Sequence, residues 1–200
     1  NLRKIFKLND ECEIIFSPSG TDSSLQIAAI TQIMSDKEIT HILVASDETG
    51  SGVASALKGC HFENTTALNY PVKIPFRDAN GALKSSTQLD EEVFNAVFKT
   101  SELGRHVVLH TMDQSKLGYQ SPSDEFIKKL NSLKKLSMQI IVDGSQLRLD
   151  PKDIQNYLSK GYIVTITGSK YFTGPPYCGA LILPKNVAKV ISSAKTTLPK

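Results

Sequence analysis

The sequence predicts an α/β domain of three layers, with a mostly parallel seven-stranded sheet between two layers of helices. Two observations predict it. Seven short apolar, β-branched runs recur along the chain, and helical stretches lie between most of them. Strands that alternate with helices build βαβ units and a mostly parallel sheet. The composition adds a third: 40% of the 200 residues are hydrophobic and 22% charged, which excludes a disordered or low-complexity chain.

The elements follow in order. The run Glu13–Ser17 leads to a helix over Asp22–Met34, with Leu25, Ala28, Ala29 and Ile33 on one face. Thr40–Ser46 leads into a glycine-bearing turn. Val72–Phe76 is the third run. A helix over Asp90–Leu103 precedes the fourth, His106–His110. Ser121-Pro122-Ser123-Asp124 opens a helix over Asp124–Leu136, ahead of the fifth run, Met138–Asp143. Asp150 is a capping residue and Pro151 takes the first helical position of a helix over Pro151–Lys160, which Gly161 closes. Tyr162–Thr167 and Gly179–Leu183 complete the sheet.

Length and charge bound the function. A chain of 200 residues reads as one large domain that buries roughly 70% of its unfolded surface without a staple. The net charge of +3 is too small and too evenly spread for a nucleic-acid partner. No apolar run approaches the ~20 residues of a membrane span. Cys12, Cys60 and Cys178 are odd in number and lack C-x-x-C spacing, so neither a disulfide framework nor a zinc site is expected. A reducing compartment, the cytoplasm, is the default. Asn64-Thr65-Thr66 fits a glycosylation sequon, and a single match in a chain this size reads as chance. The start, Asn1-Leu2-Arg3-Lys4, is neither a signal peptide nor an initiator methionine, so the chain is expected to begin inside a longer protein. Lys128, Lys129, Lys134 and Lys135 lie on a predicted amphipathic helix with Phe126, Leu130 and Leu133 on its apolar face, and read as a solvated face.

Ligands of such sheets gather outside the carboxyl ends of the strands. Three segments there carry chemistry. Pro18-Ser19-Gly20-Thr21-Asp22 is a small-residue turn opening a helix. Free N–H groups and the helix dipole suit it to one phosphate; taken alone, Ser19 or Thr21 capping the helix is the better reading. Gly50-x-Gly52 after the second run is a partial dinucleotide fingerprint without its third glycine or its ribose-binding acid, and a plain strand-to-helix turn explains it more simply. Ile140-Ile141-Val142 delivers Asp143, with Gln146 three residues on, and the next strand delivers Gly168-Ser169-Lys170. A lone carboxylate capping a turn and a solvated lysine are the bland alternatives. Together, an anion cradle, a carboxylate and a lysine on one edge fit pyridoxal phosphate. That cofactor needs a lysine for its Schiff base, an acid facing the pyridine nitrogen and a phosphate cradle.

Val142-Asp143-Gly144-Ser145-Gln146, followed by Thr167-Gly168-Ser169-Lys170 and Gly174-Pro175-Pro176-Tyr177-Cys178-Gly179, resembles the fold-type I pyridoxal-phosphate enzymes. The likeness is strongest to class V aminotransferases and cysteine desulfurases. It covers roughly residues 13–184 and is most specific over 138–184. It implies Lys170 as the Schiff-base lysine, Asp143 as the acid on the ring nitrogen and Gln146 at the ring hydroxyl. Ser19, Gly20 and Thr21 become the phosphate turn, joined by Thr167 or Ser169. It implies that Gly179–Leu183 is the one antiparallel strand. It also implies an amino-acid or amine substrate and a homodimer, with Thr173 touching the partner's phosphate.

Several positions depart from the family pattern. An aromatic or histidine usually follows the second strand, and Thr49 takes that place here. The asparagine usual near the end of the fourth strand has no clear equivalent in His110-Thr111-Met112-Asp113. His110 can either face the cofactor or satisfy a strand end, and the second reading is preferred. None of Arg3, Arg77, Arg105 or Arg148 matches the arginine that grips substrate, and Cys178 is out of place for a desulfurase and reads as a wall residue. The smaller domain of the family has no counterpart in the sequence, so residues 1–200 read as a cofactor domain cut from a longer enzyme. Amino-group transfer is the leading reaction. Desulfurase, lyase and decarboxylase chemistry, a non-catalytic version of the fold and a dinucleotide-binding domain are the alternatives.

Overall fold

The computed structural model describes residues 2–58, 71–133 and 136–194. In chain order these form α1 (Leu2–Ile5), β1 (Glu13–Ser17), α2 (Gly20–Met34), β2 (Ile39–Val44), α3 (Val53–Ala56), β3 (Val72–Ile74) and α4 (Ser86–Glu102). There follow β4 (His106–Met112), α5 (Asp124–Ser132), β5 (Met138–Gly144), α6 (Pro151–Ser159), β6 (Ile163–Thr167), β7 (Gly179–Leu183) and α7 (Lys185–Ser193).

The strands form one sheet in the order β1-β7-β6-β5-β4-β2-β3. β7 runs antiparallel to both β1 and β6, and the other pairings are parallel. The reversal follows from the connection. A parallel return needs a crossover, usually a helix, and the residues between β6 and β7 contain none.

Strands buried on both faces need an apolar residue at nearly every position, and β2, β6 and β7 are buried throughout. On one face Leu43, Val108, Ile141, Ile163 and Leu181 pack against Ile27 and Ile30 of α2 and Val187 of α7. On the other Val44, Leu109, Val142, Val164 and Ile182 meet Val93 and Val97 of α4, Leu130 of α5 and Ile154 of α6. The three layers follow from these two stripes. None of the described helices is long and apolar enough to cross a membrane.

Some boundaries differ from the sequence reading. β4 continues past His110 to Met112, because Thr111 and Met112 still pair with Val142 and Asp143. His110 is therefore an interior strand residue and not a strand end. α4 starts at Ser86, four residues before the expected Asp90, because Ser85 and Gln88 form a reciprocal capping box. α5 ends at Ser132 and not at Leu136. The Ser132 hydroxyl bonds back to Lys129 O at 2.6 Å, and Leu133 leaves helical geometry and is exposed rather than on a buried face. Lys134, Lys135, Cys60 and the Asn64 sequon lie outside the described residues.

Candidate active site

At the carboxyl edge, on the α2 side of the sheet, lies a cavity of about 280 Å³. Ser19, Gly20, Thr21, Thr49, Asp143, Gln146, Thr167, Ser169 and Lys170 all line it. The fold thus brings together these nine candidate residues from four chain segments, at the ends of β1, β2, β5 and β6 and the turns after them. Thr173, on the loop after Lys170, does not line it.

The first turn is built for close approach. Ser19 caps α2: its Oγ accepts from Asp22 N at 3.2 Å and donates to the Asp22 carboxylate at 2.6 Å. Its hydroxyl is thereby committed. The N–H groups of Gly20 and Thr21, in the first turn, have no carbonyl of the helix to bond. A Cβ at Gly20 would stand 3.1 Å from Thr167 Cγ2, so any larger residue would push Thr167 back by a few tenths of an ångström where α2 begins beside β6. Gly52 is explained in the same way: its Cβ would meet Thr21 Cγ2 at 3.0 Å. The Gly50-x-Gly52 turn thus seats α3 against α2.

Asp143 is the penultimate residue of β5, half-buried. Its Oδ1 accepts from Ser145 N at 3.0 Å, and its Oδ2 is 3.4 Å from the Thr49 hydroxyl. The Thr167 hydroxyl donates to Ser145 O at 2.9 Å, tying the end of β6 to the turn after β5. Ser169, the neighbouring candidate, makes no such bond among the described residues. Lys170 is exposed and opens a loop closed on itself by Gly174 N to Gly168 O at 2.8 Å and Gly168 N to Cys178 O at 2.9 Å. Cys178 is wedged into that loop, its Sγ 2.7 Å from Pro175 O, and does not line the cavity. Arg148 lies 5.7 Å from the Tyr171 ring centroid, beside the loop.

Glu48, His110, Ser115 and Lys116 also line the cavity. Glu48 is 5% exposed. Burial alone would raise its pKa, but the Ser115 hydroxyl, Arg77 at 2.8 Å and Leu117 N together hold it below the ordinary value. Lys116 Nζ donates to Thr49 O at 3.3 Å. His110 Nε2 lies 3.0 Å from His41 Nδ1, and both rings are buried. Burial and the nearby His106 lower His41 to about 4, while burial and His41 hold His110 well below its usual range. No Phe or Tyr lines the cavity among the described residues, so Thr49 occupies the place after β2 without a stacking ring. The signal for Glu48, Ser115 and Lys116 was their position after β2 and β4, and His110 lies within β4.

No family model and no curated protein matches the chain by sequence. Solved structures match it by shape. A putative histidinol-phosphate aminotransferase from Erwinia carotovora atroseptica SCRI1043 superimposes with a TM-score of 0.59 at 16% identity, over 96% of this chain and 51% of its own. Mouse CSAD gives 0.62 at 15% identity, over 99% and 44%. Oryza sativa TDC with PLP and tryptamine gives 0.61 at 11% identity, over 98% and 42%. The fold is that of the fold-type I PLP-dependent enzymes. The chain spans about half the length of these structures or less.

Proposed function

We propose that the chain is the cofactor-binding core of a pyridoxal 5'-phosphate enzyme acting on the amino group of an amino acid or amine, by amino-group transfer. One observation carries this reading: Lys170, Asp143 and the Gly20–Thr21 turn, far apart in sequence, line a single cavity. Aminotransferases among the structures of like fold support the reaction class.

The residues present fit the group. The turn at Gly20 is one that a Cβ would crowd, and it offers backbone N–H groups at the positive end of a 15-residue helix. The cavity is close to the lower limit of roughly 300 Å³ for small-molecule sites. When bound, pyridoxal phosphate supplies an electron sink for bonds at the substrate's α-carbon.

The chain's residues then have separable tasks. Gly20 N, Thr21 and Ser169 bind the phosphate. Thr167 joins as a positioning residue, since its hydroxyl proton is committed to Ser145 O. Asp143, fixed by Ser145 N, holds a proton at the ring nitrogen. Gln146 orients the ring hydroxyl and Thr49 covers the ring. Lys170 Nζ anchors the cofactor and moves a proton to and from the α-carbon. The exposed Phe16, Tyr171, Phe172 and Tyr177 favour a homodimer. The odd thiol count favours the cytoplasm.

Visible absorbance with added pyridoxal phosphate tests the reading. A band that borohydride fixes to the wild-type protein, and that Lys170→Ala lacks, is the expected result. A folded wild-type protein with no band would overturn it.

A further inference from the structure

α4 has two apolar faces. Leu89, Val93 and Val97 turn inward and are buried against the sheet. Thr87, Glu91, Phe94 and Phe98 recur at helical spacing on another face. Phe94 and Phe98 are 37% and 51% exposed, and their rings stack on each other with centroids 5.9 Å apart. A stacked pair of phenylalanines in solvent is a patch and not a scattered apolar residue.

α5 runs beside this face, and the two helices are tied at one end. Asp90 of α4 accepts from Ser123 N at 2.9 Å and from Ser123 Oγ at 2.6 Å, and Ser123 caps α5. Between the helices lies a groove of about 510 Å³. Phe94 and the half-buried Phe126 give it apolar walls, and Glu91, Glu125 and Lys129 edge it. Thr87 also lines it, and Phe98 extends it by one turn of α4. From Thr87 to Phe98 the helix rises about 16 Å, the length of about three turns.

The charge of the groove opposes that of the chain. Asp90, Glu91 and Glu125 stand against Lys129 alone among its lining residues, while the whole chain carries +3. Asp90 is committed to Ser123. Glu91 and Glu125 are exposed, and neither has a hydrogen bond or ion pair among the described residues. An apolar floor flanked by such carboxylates is complementary to a segment whose apolar stripe is flanked by cations. Arginine fits best, because its guanidinium pairs with a carboxylate and also lies on an aromatic face such as that of Phe94. A two-fold contact with a second copy fits less well, since it would set these acids against their own counterparts.

We propose that the groove between α4 and α5 docks an amphipathic helix of a partner protein, with apolar side chains on Phe94, Phe98 and Phe126 and arginines opposite Glu91 and Glu125. Such a helix presents anchors at i, i+3 or i+4 and i+7, a spacing that fits within the length of the groove. The groove lies on the α4 side of the sheet and the cavity lined by Lys170 on the α2 side, so docking does not depend on the cofactor reading.

The test is fluorescence anisotropy of a labelled synthetic helical peptide with leucine at i, i+3, i+4 and i+7 and arginine flanking that stripe. A twin with glutamate in place of arginine is the comparison. The wild-type protein is expected to bind the arginine peptide roughly 10-fold more tightly than its twin, and less tightly as salt rises. Phe98→Ser, at an exposed position, should weaken binding roughly 10-fold and leave thermal unfolding unchanged. Glu91→Arg combined with Glu125→Arg should reverse the order of the two peptides. No binding of the arginine peptide by wild type, equal binding of the two peptides, or wild-type affinity in either variant overturns the proposal. Light scattering checks for the other occupant: self-association that Phe98→Ser abolishes makes this face a contact between copies, and that too overturns it.

Discussion

Replacing Gly20 by alanine separates the proposed role of the turn before α2 in phosphate binding from its part in the fold. Its new Cβ would sit 3.1 Å from Thr167 Cγ2 and 3.9 Å from Ser145 Oγ, between the start of α2 and the ends of β5 and β6. Overpacking of this kind costs about 1–3 kcal/mol. Thr167 is buried and held by its bond to Ser145 O, so yielding weakens a hydrogen bond worth about 0.5–1.5 kcal/mol. Alanine's helix preference offsets up to about 1 kcal/mol. The net loss is about 0.5–3.5 kcal/mol, and Tm falls by about 2–4 °C for each kcal/mol in a domain of this size. The effect on pyridoxal phosphate is larger. The methyl occupies the approach to the turn and removes at least one hydrogen bond to a charged phosphate, worth about 1.5–3 kcal/mol. Affinity falls roughly 10- to 100-fold. Thermal unfolding without cofactor measures the first effect and titration of the visible band the second. A Gly20→Ala protein that binds pyridoxal phosphate as wild type does would refute the assignment of this turn.

Further predictions concern charge and pH. Asp143→Asn should keep the fold and lose more than 10²-fold in amino-group transfer, because an amide cannot hold the ring nitrogen's proton; steady-state turnover reads this. Glu48→Gln should destabilise by about 1–2 kcal/mol in urea, since the amide presents donors to Ser115, Arg77 and Leu117 N. Glu48 has a lower pKa folded than unfolded, so its contribution is present above about pH 4.5 and lost on acidification through the folded value. His41 is likewise depressed, from 6.5 to about 4, so stability should fall as pH drops through that window, by up to about 1.4 kcal/mol per pH unit. Urea titrations of wild type and His41→Phe between pH 7 and 4 check it. The variant should lack that part of the slope, and equal slopes would contradict the prediction.

Much of the candidate site's placement was legible because two local rules act together. Apolar β-branched runs mark buried strands, and residues just after them sit on one sheet edge, which is how Asp143 and Lys170 converge. The opening of α2 was legible from its small residues, though the structure commits Ser19 to the cap. The Ser85–Gln88 box was also present in the sequence, as a Ser-x-x-Gln signature, and fixes the true start of α4. What could not be read depends on strand order. His41 meets His110, and Glu48 meets Arg77, only because β2 lies between β4 and β3. No local pattern encodes that order. The end of α5 was misread because apolar periodicity continued through Leu133, while Ser132 turned its hydroxyl back on the helix.

The central claim is that Lys170, and not merely an accessible lysine, anchors the cofactor. Treatment with pyridoxal phosphate and borohydride, followed by peptide mapping by mass spectrometry, tests it directly. The account predicts one dominant adduct on Lys170, formed at low cofactor concentration and competed by inorganic phosphate through the Gly20 turn. Adducts spread over exposed lysines such as Lys116, with Lys170 no more modified than the rest, would contradict it.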